Sequence, residues 1–146
     1  MKVAGVLHIS QPPNRVGEAL HDPAVLQRML PACEGVEALG PGRFRANIAR
    51  KIGLLTLRVE PDITLVPSAD GQGLDLTLEA SNRIVGSISA TMTLTMQGEP
   101  AGTRLGWDGQ LVTTGLAQRL LAERTEQIQA RVTALFTTLK AVLEGG

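Results

Sequence analysis

The sequence predicts an α+β domain in which a curved antiparallel sheet of about seven strands wraps on a long C-terminal helix, with two short helices after the first strand. Three observations lead there. From residue 36 onward apolar side chains recur at every second position, the period of a half-buried strand. Turn-forming stretches interrupt that pattern at "GPG" (40–42), "PSADGQG" (67–73), "SN" (81–82) and "GEPAG" (98–102). After Gly115 the apolar spacing changes to three and four residues and stays there, as in a helix with one buried face.

The opening "KVAGVLHI" (2–9) alternates, with Val3, Gly5, Leu7 and Ile9 on one side, and two prolines stop it. "PNRVGEAL" and "DPAVLQRML" read as short helices. In the second, Asp22 is placed to cap and Pro23 to fill the first helical position, where its missing N–H matters least; Pro31 ends it. In the strand region one parity collects Phe44, Ala46 and Ile48, then Leu55, Leu57, Val59, Ile63 and Leu65, then Leu74, Leu76, Leu78 and Ala80. "SISATMTLTMQ" (87–97) adds Ile88, Ala90, Met92, Leu94 and Met96, with only Ser, Thr and Gln between them; Leu105, Trp107 and Leu111 complete the set. The other parity carries Arg43, Arg45, Asn47, Arg58, Glu60, Asp62, Asp75, Glu79, Arg104 and Asp108, which belong in water. One sheet with a single buried face follows.

The terminal helix is the expected cover. A helix of roughly 28 residues would span about 42 Å, enough to cross the concave side. Leu116, Leu120, Ile128, Val132, Leu135, Leu139 and Val142 would face the sheet. Gly5, Ala46, Ala80, Gly86, Ala90 and Gly109 put little volume on the inner parity, so space is expected between sheet and helix. Its wall is expected to include Phe44, Leu57, Leu76, Ala90, Met92 and Met96, the methionines able to adapt to varied apolar shapes. Trp107 and Ile128 complete it, and Arg124 either points inward on the line Leu120, Arg124, Ile128 or reaches the rim by its long stem.

Composition removes several function classes. Fourteen basic and fourteen acidic residues cancel, with no basic run, so no nucleic-acid partner is expected and membrane contact is at most peripheral. Aromatics are 2% of the chain and tyrosine is absent, which denies it a stacking platform for bases. The lone Cys33 excludes an internal disulfide, the short N-terminal apolar stretch is no signal peptide, and the cytoplasm is the expected compartment. The 146 residues read as one domain, without an interdomain linker.

Catalytic chemistry finds little support. Only His8 and His21 could act as imidazole bases; His8 falls on the outer parity and His21 sits between the short helices. The strand carboxylates fall on the outer parity, and two distant histidines with one cysteine make no metal-ligand spacing. No metal or cofactor is expected. Polar groups on the inner parity reduce to Thr103, Thr113 and Arg124.

Strand, two short helices, meander and long helix together make the helix-grip arrangement. "LHDPAVLQRMLPACEGVE" (20–37) resembles the "DP…L…PGCE" stretch of the CoxG family associated with carbon monoxide dehydrogenase, a branch of the START-like superfamily of lipid and hydrophobic-ligand binding proteins. "RKIG" (50–53), "IVGSISATMTL" (84–94) and "GTRLGWD" (102–108) are similar to its later strand motifs. Members carry Gly where Ala32 stands and an aromatic where Gly17 stands. Many continue past the last helix into an apolar anchoring tail, whereas this chain stops at "LEGG", so anchoring by that route is not expected.

The resemblance implies a non-enzymatic accessory protein that binds a quinone or lipid and aids maturation or membrane recruitment of a molybdenum hydroxylase. Two other readings stay open: an enzyme resembling the polyketide cyclases and dehydratases that share the fold, and an interaction module whose core is simply filled.

Overall fold

The computed structural model describes residues 1–84, 86–121 and 124–145, apart from the side chains of Ile52, Leu120 and Leu121. In chain order these form β1 (Lys2–Ile9), α1 (Pro13–Leu20), α2 (Pro23–Met29), β2 (Cys33–Gly40), β3 (Arg43–Ile52), β4 (Leu55–Val59), β5 (Asp62–Pro67), β6 (Gly73–Asn82), β7 (Gly86–Glu99), β8 (Gly102–Thr114), α3 (Leu116–Leu121) and α4 (Thr125–Gly145). All eight described strands lie in one sheet of order β1-β8-β7-β6-β5-β3-β2, with β4 paired to β3. This is the α+β helix-grip fold.

The expected seven strands become eight at Pro61. β3 pairs with β4 through Ile48 and Val59, and with β5 through Phe44 and Ile63. Pro61 lies between them and has no N–H to give a ladder. Its carbonyl still accepts the Ala46 N–H at 3.0 Å, so the interruption bends the strand without detaching it.

The short helices form where capping chemistry places them. Pro13 opens α1 and Pro23 opens α2, where the Asp22 carboxylate accepts the Ala24 N–H at 2.9 Å. Leu30 is extended ahead of Pro31, which disfavours a helical residue before it. Val16, Ala19 and Leu20 of α1 and Val25, Leu26 and Met29 of α2 are buried and close one end of the barrel-like sheet.

β1 is an edge strand, and α4 runs alongside it in the same direction. The Gln129 side chain donates to Lys2 O (3.0 Å) and accepts from Ala4 N–H (3.3 Å). Further along, Lys140 donates to His8 O (2.6 Å), and Glu144 accepts from Ser10 N–H (2.7 Å) and from Lys140 (2.7 Å). All four strand positions are even-numbered, so their peptide groups share the free edge. Three helix side chains thereby satisfy an edge that would otherwise invite another strand.

The single 28-residue helix expected from the sequence is divided. Arg124 is not helical; its carbonyl accepts the first α4 bond, from Ile128 N–H at 3.0 Å. α3 packs on β7 and β8, where Ala117 is buried, while α4 follows the β1 edge. Leu120, Arg124 and Ile128 therefore do not form one helical line, and the Leu120 side chain lies outside the described residues.

Two outcomes are expected. Ala32 sits at φ 57°, a left-handed conformation that costs a non-glycine residue about 1–2 kcal/mol. Ala32→Gly relieves it while loosening the unfolded chain by about 0.4–1 kcal/mol, so a net gain of up to about 1 kcal/mol should appear in the urea midpoint. Hydrogen bonds from Lys140 and then from Ser10 N–H hold the Glu144 carboxyl below its ordinary 4.5. Because the folded value is the lower one, this contribution is complete above that pH and is lost as pH falls through the folded value. The stability difference between wild type and Glu144→Gln, followed by urea unfolding across pH, should be largest near neutrality and disappear in acid.

Candidate functional site: a half-covered apolar concave face

Register places the inner side chains in rows across the sheet. Leu74, Leu94 and Trp107 stand side by side, with Gly5 beyond Trp107. The next row is Leu65, Leu76, Met92, Gly109 and Val3. Phe44, Ile63, Leu78, Ala90 and Leu111 follow, then Ala80, Ile88 and Thr113.

Coverage falls along this series on β6, β7 and β8, while Val3, Leu65, Phe44 and Ile63 at the row ends stay buried. Leu94 is 0% exposed and Trp107 4%, closed over by Phe136 and Leu139 of α4. Leu76, Met92, Leu78, Ala90, Leu111, Ala80 and Ile88 are all half-exposed. The reason is the position of α4: Gln129 is tied at Lys2 and Ala4, level with Gly109 of the second row, so only the first turn of the helix lies beyond it. Ile128 and Val132 are half-exposed in turn, as are Ile48, Leu57 and Val59 on the far flank. The result is an apolar concave face wider than the helix laid on it.

The closed end is built on an aromatic stack. Trp107 lies on Phe136 with ring centroids 4.5 Å apart and 22° between planes. Its other side lies where a Cβ on Gly5 would have to be, and the clash would be with the indole itself. The buried Trp107 Nε1 has no hydrogen-bond partner among the described residues.

The open end is rimmed by turns. Asn82 at the end of β6 donates to Arg58 O of β4 (3.1 Å), and Ser87 N–H near the start of β7 donates to Thr114 Oγ1 at the end of β8 (3.2 Å). Leu54, Leu55, Ile84 and Leu116 are exposed in these same segments. On the opposite, outer face a depression of about 1150 Å³ is lined by Asp75, Thr77, Thr91, Thr93 and Asp108. Hydroxyls and charges of that kind suit water, and the apolar surface belongs to the concave side.

The predicted wall residues divide between the two ends. Phe44 and Trp107 lie in the closed core, and Met96 stands beside Leu105 there. Leu76 and Met92 mark the transition, while Leu57, Ala90 and Ile128 belong to the open part. Arg124 is exposed at the start of α4. Thr103 is buried but donates to Gln11 O at 2.6 Å, which makes it a structural tie.

The polar residue that the alternation pattern did not single out is Arg50. It continues the inner parity of Phe44, Ala46 and Ile48 by one more step and pairs opposite Leu57. The period-two rule contained that signal, since residue 50 follows 44, 46 and 48 at the same spacing.

Other candidates are occupied elsewhere. His8 Nδ1 is 3.0 Å from Glu99 Oε1 at the surface, His21 Nδ1 donates to Gly17 O (2.7 Å), and Cys33 Sγ donates to Gly35 O (3.2 Å). Among the described residues no cluster of His, Cys, Asp and Glu could hold a metal, and no helix is long and apolar enough to cross a membrane.

A curved sheet gripping a terminal helix, with short helices after the first strand, places the chain in the START-like helix-grip class. Its family follows from residues 5–144, which match the model for the carbon monoxide dehydrogenase CoxG family; the chain belongs to that family. Among curated protein sequences no match is found. Solved structures share the fold at low identity. A conserved protein from Geobacillus kaustophilus is 15% identical with a TM-score of 0.78, over 98% of this chain and 95% of that one. Ara h 8.0201 is 14% identical with a TM-score of 0.67, over 100% and 99%. The di-domain ARO/CYC BexL from the BE-7585A biosynthetic pathway is 14% identical with a TM-score of 0.64, over 99% of this chain and 50% of that one.

Because the indole fills the place of a side chain at Gly5, Gly5→Ala should destabilise the protein by about 1–3 kcal/mol, the usual range for overpacking. Urea unfolding gives the loss. A shifted Trp107 emission in the folded state identifies the stack as its origin.

Proposed function

We propose that this protein is a non-enzymatic cytoplasmic carrier that holds an elongated apolar molecule, a quinone or a lipid, on the open part of its concave face. The observation that carries the reading is the run of half-exposed apolar rows from Leu76 and Met92 to Ala80 and Ile88. A folded chain gains roughly 2.5 kcal/mol for every 100 Å² of apolar surface removed from water, so an uncovered apolar face inside a curved sheet favours an apolar guest. Small residues at Ala80, Ala90 and Gly109 keep its floor low. Membership of the CoxG family of carbon monoxide dehydrogenase supports service to a molybdenum hydroxylase, in maturation or in recruitment to a membrane surface.

Likeness of fold to BexL keeps a cyclase-like reading in view. The side chains of the open face argue for a carrier, since Leu78, Ala90, Ile88 and Leu111 offer neither a proton donor nor an acceptor.

Ala90 is half-buried between Leu78 and Leu111, and the carrier reading puts open space above it. Ala90→Phe should change stability by less than about 1 kcal/mol, below the 1–3 kcal/mol of an overpacked core, while weakening binding of a long-chain quinone at least about tenfold. Mass spectrometry of the purified wild-type protein should release an apolar small molecule that Ala90→Phe lacks. An unfolded variant together with a wild type that neither carries nor binds an apolar molecule would mean that the face is core, and the carrier reading would fail.

A further inference from the structure

Where α2, β3 and α4 meet, a cleft of about 360 Å³ opens beside the concave face. Arg28, Arg50 and Arg131 line it, one from each element, and its apolar lining includes Met29, Pro31 and Leu135. Among the described residues no carboxylate lines it. Three basic side chains elsewhere are matched to carboxylates: Arg45 to Asp62, Arg58 to Glu34 and Lys140 to Glu144. None of the three cleft guanidiniums makes an ion pair or side-chain hydrogen bond among the described residues. Three exposed guanidiniums lining one cleft with an apolar floor make a place where an anion is favoured.

Arg50 belongs both to the cleft and to the inner parity of β3, which bears on the kind of anion. Arg50 stands on the inner parity of β3, next after Ile48 and opposite Leu57, and both of those are half-exposed apolar wall. A guest with an oxyanion at Arg50 can therefore lay an alkyl chain over Ile48 and Leu57 toward Ala90. Guanidinium forks match carboxylate and phosphate oxygens in pairs.

We infer that the cleft is a headgroup seat, and that the carried molecule is an amphiphile with a carboxylate or phosphate head on an alkyl chain. This rests on the reading of the concave face as an apolar-ligand site. The shared chemistry of head and free anion is an oxyanion, and the chain separates the two.

Titration calorimetry with decanoate, decan-1-ol and inorganic phosphate tests it, using wild type, Arg50→Gln/Arg131→Gln and Arg50→Lys. Decanoate should bind wild type about tenfold more tightly than decan-1-ol, through charge-assisted bonds. The preference should shrink at high salt and vanish in the double glutamine variant, with decan-1-ol binding unchanged, while Arg50→Lys keeps part of it. Equal affinity for decanoate and decan-1-ol in wild type would overturn the headgroup seat and leave the carrier reading intact. Inorganic phosphate binding as tightly as decanoate would overturn the amphiphile in favour of a free-anion site. If none of the three binds while a long-chain quinone does, the headgroup seat falls and the carrier reading stands; if the quinone fails as well, both fall.

Discussion

The molecule is organised by the hold that α4 keeps on the free edge of β1. A side-chain amide at Gln129 takes the place of a neighbouring strand's peptide for Lys2 and Ala4, and Lys140 and Glu144 do the same for His8 and Ser10. An edge satisfied by a helix fixes that helix in both height and direction. It cannot slide toward the open rows without breaking bonds at three places, each worth roughly 0.5–1.5 kcal/mol net and more where a charge takes part. The uncovered apolar surface is thus a consequence of where the helix is tied.

The closed end supplies the fixed point at the other side. Phe136 and Leu139 of α4, the buried faces of α1 and α2, and the row Leu74, Leu94 and Trp107 make one packed cluster. Tight packing there and half-exposure a row or two away give the domain a rigid base and an accommodating upper part. On the carrier reading the fully buried cluster mainly keeps the chain folded, while half-buried residues packed on it, such as Leu76, Leu78 and Met92, serve both stability and binding.

Much of this could be read from the chain. Period-two alternation placed the inner parity of most strands, β2 excepted, and Asp22 with Pro23 announced the start of α2, because those signals are local. Three features were not local. Pro61 divides a strand whose parity continues unbroken through Val59 and Ile63, so alternation could not reveal the division. The division at Arg124 reflects two packing partners, β7 and β8 for α3 and the β1 edge for α4, which no periodicity encodes. The extent of coverage is set by Gln129, a residue that sequence alone presents as one more polar position on a helix. Arg50 was in register with the wall all along, and its place in a cleft with α2 and α4 depends on packing that alternation does not encode.

Gly5 and Trp107 occupy a single volume between them, since the indole fills what a side chain at residue 5 would need. Two positions that share one space do not vary independently. Along a lineage, any larger residue at position 5 has to arrive after the ring at 107 has shrunk, and the reverse order passes through a poorly folded intermediate. The indole therefore constrains the history of the first strand: position 5 is held to glycine by a residue about a hundred positions away, for as long as that residue remains tryptophan.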